Sequence, residues 1–443
     1  MTCTQHFSAL FKLAAPLAGG NLAYVAMGMT DTIMMGWYSI EDLAALVLAT
    51  TLFFLVLTGA GFGHAVMPMV ATAVAKNDAV TIRRVTRMGI WLCLVYSAVF
   101  MPVLWFSEAV LLALRQEEVL SASAQIYLRI AGFGLFFSLV TICLKSYLSA
   151  QELTRVVFIA TLIMVGLNAV FNWIFIFGAF GIPEMGIRGA AFATLLSNGL
   201  LCAATLIYAL RKLPEHALMH RFWRPDWDIL RQVAVVGFPI GLTALAEAGM
   251  FSASSIMMGW LGTIPLAAHG IALQVATITF MLHMGLSQAA TVRAGNAIGR
   301  NDKAHLIDGA KVALVLSFVL SVFTMILFVS APDALISFFI KSDDPARSQI
   351  LEVGRGLIYM AALFQLVDGG QVLALGLLRG IQDTKVPMIF ASVSYWIVGL
   401  PAGYILGFVF GFGGLGVWGG LVIGLGCAAA LMTWRFIRKL EDY

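Results

Sequence analysis

Residues 312–332 read VALVLSFVLSVFTMILFVSAP, an uncharged and almost wholly apolar stretch. A helix needs about 18 to 20 such residues to cross the hydrocarbon core of a bilayer, so this stretch can span it. Stretches equally free of charge occupy residues 43–75, 156–183 and 189–210. Backbone groups in hydrocarbon must bond to one another, and the alternating pattern of a lipid-facing barrel strand is absent from these stretches. The sequence therefore predicts an all-α integral membrane protein.

Composition supports the same class. Hydrophobic residues make up 60% of the 443 positions and charged residues only 11%, with a mean hydropathy of +0.93, which excludes a soluble globular fold. The net charge of +4 comes from basic residues in short loops, so we expect no nucleic-acid partner. The first apolar stretch is longer than a signal peptide and is predicted to stay as a helix. The cysteines have no paired spacing and are interpreted as packing residues: Cys3, Cys93, Cys143, Cys202 and Cys427.

The apolar stretches predict twelve membrane helices. The uncharged run 386–434 counts as two of them, because the glycine-rich segment 411–416 supplies a break. The predicted spans are 9–36, 43–75, 87–112, 122–149, 155–180, 187–210, 229–258, 265–298, 307–336, 346–380, 385–410 and 414–436.

The distribution of basic residues predicts the orientation of these helices. With both termini in the cytoplasm, the cytoplasmic loops and helix ends hold 21 of the 27 Lys and Arg residues. Such an excess is typical of cytoplasmic loops. The six left for the outer side are Arg115, Arg129, Arg188, Lys341, Arg347 and Arg355.

The chain also contains an internal repeat. Residues 33–37 (IMMGW) recur as residues 256–260, and the same offset of 223 positions places Pro16 on Pro239. Slightly larger offsets place Asn77-Asp78 on Asn301-Asp302, and Thr154-Arg155-Val156 on Thr384-Lys385-Val386. A duplication explains these matches better than chance does.

The duplication predicts two six-helix bundles with the same orientation, related by a pseudo-two-fold axis along the membrane normal. The most polar stretch of the chain, about residues 211–231, separates them. We therefore predict an N-terminal bundle at residues 1–215 and a C-terminal bundle at residues 216–443, with the cleft between them as the substrate path.

Three acidic residues fall inside predicted spans: Asp31, Glu247 and Asp368. Each costs about 2.5 to 3.5 kcal/mol at a helix centre, so each should face a cavity or a partner. The non-functional interpretation is a structural ion pair. Few basic residues share their depth, however, and ion or proton binding is favoured.

Polar uncharged residues leave two interpretations open. Asn168 and Asn172 are four positions apart on one helix face, so their carbonyl oxygens could serve one cation. Hydrogen bonding between helices explains them at least as well. His64, His269 and His283 have no metal-ligand spacing and are interpreted as packing or hydrogen-bonding residues.

Three parts of the C-terminal half have a recognisable pattern: Pro239–Gly259, Ala267–Arg300, and Val367–Gln371 leading to Leu378–Lys385. They resemble the multidrug and toxic compound extrusion (MATE) family, in its bacterial NorM-like branch. The resemblance covers nearly the whole chain, including Asp31–Gly36 and Gly186–Thr194, and the stretch from Asp368 to Lys385 is its most specific piece.

This resemblance implies an antiporter rather than an enzyme. It would export organic cations and amphipathic drugs by alternating access, driven by inward flow of Na+ or H+ across the bacterial inner membrane, with no cofactor beyond that coupling ion. We expect a monomer in the bilayer. The family's C-terminal cation site maps to Glu247 and Asp368. Its N-terminal site maps to Asp31, surrounded by Asn168, Asn172 and Thr194, so a bound Na+ is expected at one of these two sites.

The chain departs from the family pattern at three positions. Gln274, assigned to the cation and substrate site, stands where Na+-coupled members carry Asn, and Phe364 stands where Tyr is common one turn before Asp368. Asn172 replaces an acid of the archaeal branch. These departures leave the coupling ion open between Na+ and H+.

Other classes of membrane protein fit less well. A major facilitator should carry a characteristic basic loop between helices 2 and 3, which the segment 76–87 lacks. A lipid-linked precursor flippase of the same superfamily should present several cationic residues in its spans. A membrane-embedded enzyme needs a histidine pair, an activated nucleophile or a metal-ligand cluster. A channel also fits less well, because the two duplicated halves carry acids at positions that do not match, and this asymmetry favours a transporter that works by alternating access.

Overall fold

The computed structural model describes residues 3–340 and 345–442, and over these residues it consists of helices joined by short loops. Lys341 and the side chain of Cys3, both used in the sequence analysis, lie outside the described residues. A 3-10 turn, Pro214–His216, precedes α10, and two π-helical segments, Val393–Gly399 and Ile405–Val409, flank α16. In chain order the α-helices are α1 Cys3–Tyr38, α2 Ile40–Gly59, α3 Phe62–Ala75, α4 Ala79–Trp105, α5 Ser107–Ala113, α6 Glu118–Ala131, α7 Gly134–Ala150, α8 Thr154–Phe177, α9 Ile187–Lys212, α10 Trp227–Trp260, α11 Thr263–Gly299, α12 Lys303–Ser330, α13 Pro332–Ser337, α14 Arg347–Gly380, α15 Lys385–Ser392, α16 Leu400–Tyr404 and α17 Gly413–Glu441.

Twelve crossings account for the long helices of the described residues. Eleven helical stretches are long and apolar enough to cross a membrane, and α6 with α7, bent by 52°, forms the twelfth. The predicted all-α class and the count of twelve are therefore confirmed. The fourth crossing differs from its prediction because α6 ends at Ala131 and a new helix begins at Gly134.

The described chain packs as two compact units. One unit is Gly19–Gly241, and the other combines Met1–Ala18 with Leu242–Tyr443. The predicted boundary at residues 215 and 216 followed the polarity of a loop. The packing division falls inside the continuous helices α1 and α10, and the boundary between the two bundles stays a prediction from the sequence.

Both copies of the repeated Asn-Asp pair adopt the same backbone conformation. Asn77 and Asn301 both adopt the left-handed region, with φ of 55° and 53°, which asparagine tolerates better than most residues. Asp78 and Asp302 follow, and each side chain accepts the backbone N–H three residues on at 2.9 Å. The repeated Asn-Asp pair therefore ends one helix and caps the next at α4 and again at α12.

Small residues let α11 and α14 approach closely. Ser287 Oγ donates to the carbonyl of Val372 at 2.7 Å, and Thr291 Oγ1 donates to the carbonyl of Gly376 at 2.8 Å. A side chain at Gly376 would collide with the backbone of Ser287. This contact, typical of membrane helices, holds the central part of α14 where Asp368 lies.

Candidate functional site

In the unit Gly19–Gly241, Asp31 lies at the centre of a hydrogen-bond network between three helices. Its carboxylate on α1 is only 6% exposed. Asn172 Nδ2 on α8 donates to Asp31 Oδ1 at 2.5 Å, and Thr194 Oγ1 on α9 donates to Asp31 Oδ2 at 3.1 Å. Three of the predicted site residues thus meet, and both carboxylate oxygens accept from the protein itself.

The two asparagines of α8 cooperate in this network. Asn172 Nδ2 also donates to Asn168 Oδ1 at 3.2 Å, and both residues are fully buried. Hydrogen bonding between helices is present at Asn172, which donates to Asp31 on α1, and cation binding by the two asparagines stays a prediction. Asn172 Oδ1 and Asn168 Nδ2 are buried without hydrogen-bond partners among the described residues, so the network retains unused polar capacity.

Sequence reasoning missed two tyrosines near Asp31 and a lysine beside one of these tyrosines. The Tyr127 hydroxyl donates to Thr194 Oγ1 at 3.4 Å and is an electrostatic neighbour of Asp31. Tyr24, which the repeat aligns with Glu247, also interacts electrostatically with Asp31, and the Lys145 ammonium lies 5.8 Å from the centre of its ring. The sequence predicted Lys145 at a cytoplasmic helix end. In the sequence, only the position of Tyr24 on α1, two turns before Asp31, indicates that these two side chains lie on the same helix face.

In the other unit, Asp368 on α14 has Glu247 on α10 as an electrostatic neighbour, and the shared cation site that the resemblance implies stays a prediction. Asp368 is 1% exposed, and neither of its carboxylate oxygens has a hydrogen-bond partner among the described residues. The same is true of Glu247 Oε1. A buried carboxylate without donors is strongly unfavourable unless a cation or a proton neutralises it.

Two glutamines and an arginine complete the surroundings of this acid pair. Gln365 and Gln371 are fully buried on α14, and both leave their Oε1 atoms without hydrogen-bond partners in the described structure. Gln371 Nε2 donates to the Tyr395 hydroxyl at 2.8 Å. Arg379, expected at a cytoplasmic helix end, interacts electrostatically with Glu247. Its position three helical turns after Asp368 places both residues on one face of α14, a signal that the sequence contained.

Aromatic residues pack beside the acids. Phe364, where the family often has Tyr, is 2% exposed and packs edge to face against Trp418 at 5.6 Å and Phe251 at 6.0 Å. Trp418 Nε1 donates to His269 Nδ1 at 3.0 Å. His269 is therefore a hydrogen-bonding residue, as predicted, and so is His283, which bonds to serines of α12.

The two acid sites differ in what they can bind. Asp31 is surrounded by donors, whereas Asp368, Glu247 and the glutamine oxygens form a group of unsatisfied acceptors. Carboxylate and amide oxygens suit a hard cation such as Na+, and a carboxyl pair can also share a proton, although Gln365 Nε2 and Arg379 add donors to these surroundings. No cluster of three or more His, Cys, Asp or Glu within residues 3–340 and 345–442 is arranged to hold a metal ion. Gln274 lies half-buried on α11.

Curated relatives match almost the entire chain. A protein of Rhizobium meliloti named "Probable multidrug resistance protein NorM" is 43% identical over 440 residues, which cover 98% of this chain and 94% of that protein. A protein of Agrobacterium fabrum with the same name is 40% identical over 98% of this chain and 94% of its own length.

Solved structures share the fold at lower identity. A eukaryotic MATE transporter matches with a TM-score of 0.87 at 16% identity, covering 99% of both chains. A multidrug resistance MATE family transporter in an outward-facing conformation matches with a TM-score of 0.87 at 20% identity, over 99% of this chain and 96% of that one. A superfamily transporter from Pyrococcus furiosus, described as having a binding pocket of reverse polarity, matches with a TM-score of 0.86 at 20% identity, over 99% of this chain and 96% of that one. At these identities the likeness shows the fold alone.

The MatE family model matches residues 16–174 and 239–405, which hold Asp31, Asn168, Asn172, Glu247 and Asp368. Together with the full-length relatives, this match shows that the chain belongs to the MatE family of membrane transporters and is not an enzyme.

Proposed function

We propose that this protein exports organic cations and amphipathic drugs in exchange for inward-moving Na+ or H+, by alternating access. Family membership and relatives named as multidrug resistance proteins support drug efflux. The observation that carries the coupling step is the buried Asp368, whose two carboxylate oxygens have no donor among the described residues. Such a group favours binding of a cation. A cation gradient can drive transport only through a site that binds the cation.

Coupling follows from competition for the same negative charge. A Na+ or H+ held by Asp368 and Glu247 removes one of the two negative charges of the pair, and an organic cation interacts best with the pair when that cation has left. Each ligand then shifts the protein toward the conformational state that it binds more tightly. The size of this shift is limited by the difference between the ligand's affinities for the two states. Exchange, rather than simple leakage, is the expected result.

Asp31 is proposed to act differently from the C-terminal acids. Its carboxylate already accepts from Asn172 and Thr194, so a bare metal ion would have to displace those donors. A proton or an organic cation could instead be recognised through the charge of Asp31 while the network persists. We therefore assign the coupling cation to Glu247 and Asp368.

The proposed setting is the bacterial inner membrane, with both termini in the cytoplasm and a monomer as the working unit. The excess of Lys and Arg in the loops assigned to the cytoplasm supports this orientation. The coupling ion is transported, and no resident cofactor is proposed.

A flippase for a lipid-linked anionic precursor is the second candidate. Lys145 and Arg379 favour it, because both basic side chains have partners on membrane-spanning helices. The Lys145 ammonium lies near the Tyr24 ring, and Arg379 interacts electrostatically with Glu247. The unpaired acids Glu247 and Asp368 favour a cationic cargo instead, and so does the name of the relatives.

Efflux assays separate these possibilities. Ethidium movement should be followed in inverted vesicles under a Na+ gradient alone and under a pH gradient alone. We expect export under at least one gradient, abolished when an ionophore dissipates it. Absence of ethidium export under both gradients, together with transport of a fluorescent lipid-linked phosphate, would favour the flippase.

A further inference from the structure

The segment between α9 and α10 is fixed along the first turns of α4. Arg87 Nη1 donates to the carbonyls of His220 and Arg221 at 3.1 and 3.0 Å, and Trp91 Nε1 donates to the carbonyl of Phe222 at 2.9 Å. These bonds hold the backbone itself. The conformation of residues 220–222 is therefore set by α4 and not by their own side chains.

Both ends of this segment are anchored as well. At its beginning, His216 is 6% exposed and its Nδ1 lies 2.6 Å from the Tyr147 hydroxyl. Leu218 is 2% exposed. At its end, Arg84 Nη2 donates to Asp226 Oδ1 at 3.1 Å. Side chains that point outward from residues 219–227 are thus held outward by a fixed backbone.

The contacts with α4 define the depth of the segment. α4 carries its charges, Arg83, Arg84 and Arg87, in its first turns, and residues 88–107 are uncharged. Residues 220–222 contact α4 at Arg87 and Trp91, where the charged part gives way to the apolar part. This transition marks the level of the lipid headgroups.

The outward face of the segment combines aromatic and basic side chains. Trp223 is 74% exposed and Trp227 is 70% exposed. Arg221 and Arg224 between and beside them are also exposed. The exposed acids nearby are Asp228 and, at the beginning of the segment, Glu215, whereas Asp226 is engaged by Arg84. Indole rings favour the headgroup level, and guanidinium groups bind phosphate oxygens with paired hydrogen bonds.

We propose that Trp223, Trp227, Arg221 and Arg224 form an interfacial anchor that inserts into the headgroup region and binds anionic phospholipids. The depth of the segment and its positive charge point to lipid rather than to a protein partner, because the cytoplasmic leaflet is negatively charged. The choice of leaflet rests on the proposed orientation. Lipid binding itself depends on neither the orientation nor the proposed transport activity.

The anchor can be tested on purified full-length protein in nanodiscs, which have no sidedness. Tryptophan emission is recorded with dibrominated phosphatidylglycerol or dibrominated phosphatidylcholine at the same mole fraction. We expect the anionic lipid to quench more strongly, and the Trp223→Phe/Trp227→Phe variant to lose that excess. Trp260→Phe, which removes an equally exposed indole at the far end of α10, is the matched control and should keep it.

A second variant separates the charge from the indoles. Arg221→Gln/Arg224→Gln retains both tryptophans, and its quenching by the two lipids should become equal. Equal quenching by the two lipids in the unchanged protein would overturn the proposal. An excess of quenching that persists in Trp223→Phe/Trp227→Phe would also overturn it. So would an unchanged protein that is dimeric and shows no quenching at this face, because a second copy would then cover the face.

Discussion

Asp31 is a carboxylate whose two oxygens accept from two different helices, and this arrangement determines what its replacement does. In Asp31→Asn, the remaining oxygen can still accept from Asn172, and the new amide nitrogen can donate to the Thr194 hydroxyl, which accepts as well as donates. The change therefore removes the charge and leaves the hydrogen-bond network largely in place. We expect gradient-driven efflux to be abolished while membrane insertion is retained, because a neutral residue inserts more easily.

The measurement for Asp31→Asn is ethidium efflux normalised to the amount of protein in the membrane. Thr194→Ala is the matched control, since it removes one donor and keeps the charge; we expect it to weaken efflux without abolishing it. Normal efflux by Asp31→Asn at normal expression would give Asp31 a structural role only.

Glu247 and Asp368 should behave as one site in a double-mutant cycle. Each single change, Glu247→Gln or Asp368→Asn, is expected to remove most gradient-driven efflux, and the double change should add little because the shared cation is already lost. An interaction free energy of about 1 to 3 kcal/mol is expected between them. Asp308→Asn, an exposed acid on α12 of the same unit, is the control and should leave efflux unchanged.

Multiplicative losses in this cycle, with coupling retained by each single variant, would contradict a shared site. The cycle is informative because both residues belong to the same compact unit and interact electrostatically. It therefore tests the assignment of the coupling cation, independently of which cation is used.

At the scale of helices, the sequence predicted where crossings lie better than how they end or bend. The bend between α6 and α7 falls at Gly132 and Phe133, inside an apolar stretch that reads as one helix. Hydrophobicity gives no signal there. Repeat matches were more informative, since Glu152 and Gln382 occupy matching positions and both have a φ of 61°.

The candidate site was predictable in its acids and not in its partners. A carboxylate in an apolar span is visible in the sequence because burial of charge is costly. Whether it is satisfied depends on helices distant in sequence. Asn172 donates to Asp31 across 141 positions, whereas Asp368 has no donor among the described residues, and no local pattern distinguishes the two cases.

The Arg84–Asp226 pair should make the stability of the α4–α10 connection depend on pH. The Arg84 guanidinium holds the pKa of Asp226 below its ordinary value. The unfolded chain therefore binds this proton more readily, and the stabilisation present at neutral pH is lost as the pH falls through the lowered pKa. Arg84 is 37% exposed, so solvent screening limits the effect to less than about 1 kcal/mol.

Thermal unfolding of the purified protein between pH 6 and pH 3 can check this. The melting temperature of the unchanged protein should fall more on acidification than that of Asp226→Asn, which has already lost the pair. Asp228→Asn, an exposed neighbour, should follow the unchanged protein. Identical pH profiles for the unchanged protein and Asp226→Asn would contradict the prediction.

For the whole molecule, the predicted orientation has both termini in the cytoplasm. In a cysteine-free background, Phe412→Cys should be labelled from outside intact cells by an impermeant maleimide, because the loop before α17 is predicted to lie on the outer side and Phe412 is 61% exposed. Glu215→Cys, exposed in the segment before α10, should be labelled only after the cells are opened. The reverse pattern would invert the topology.

Exchange of drug for cation is the central claim, and the most direct measurement of it is cation movement driven by a drug gradient. Proteoliposomes are loaded with ethidium and diluted into drug-free buffer, while a pH-sensitive dye and a Na+ electrode record both ions. We predict that ethidium leaving the liposomes drives H+ or Na+ in the opposite direction, and that Asp368→Asn abolishes this ion movement. Protein-dependent ethidium movement with neither ion moving in exchange would contradict the account.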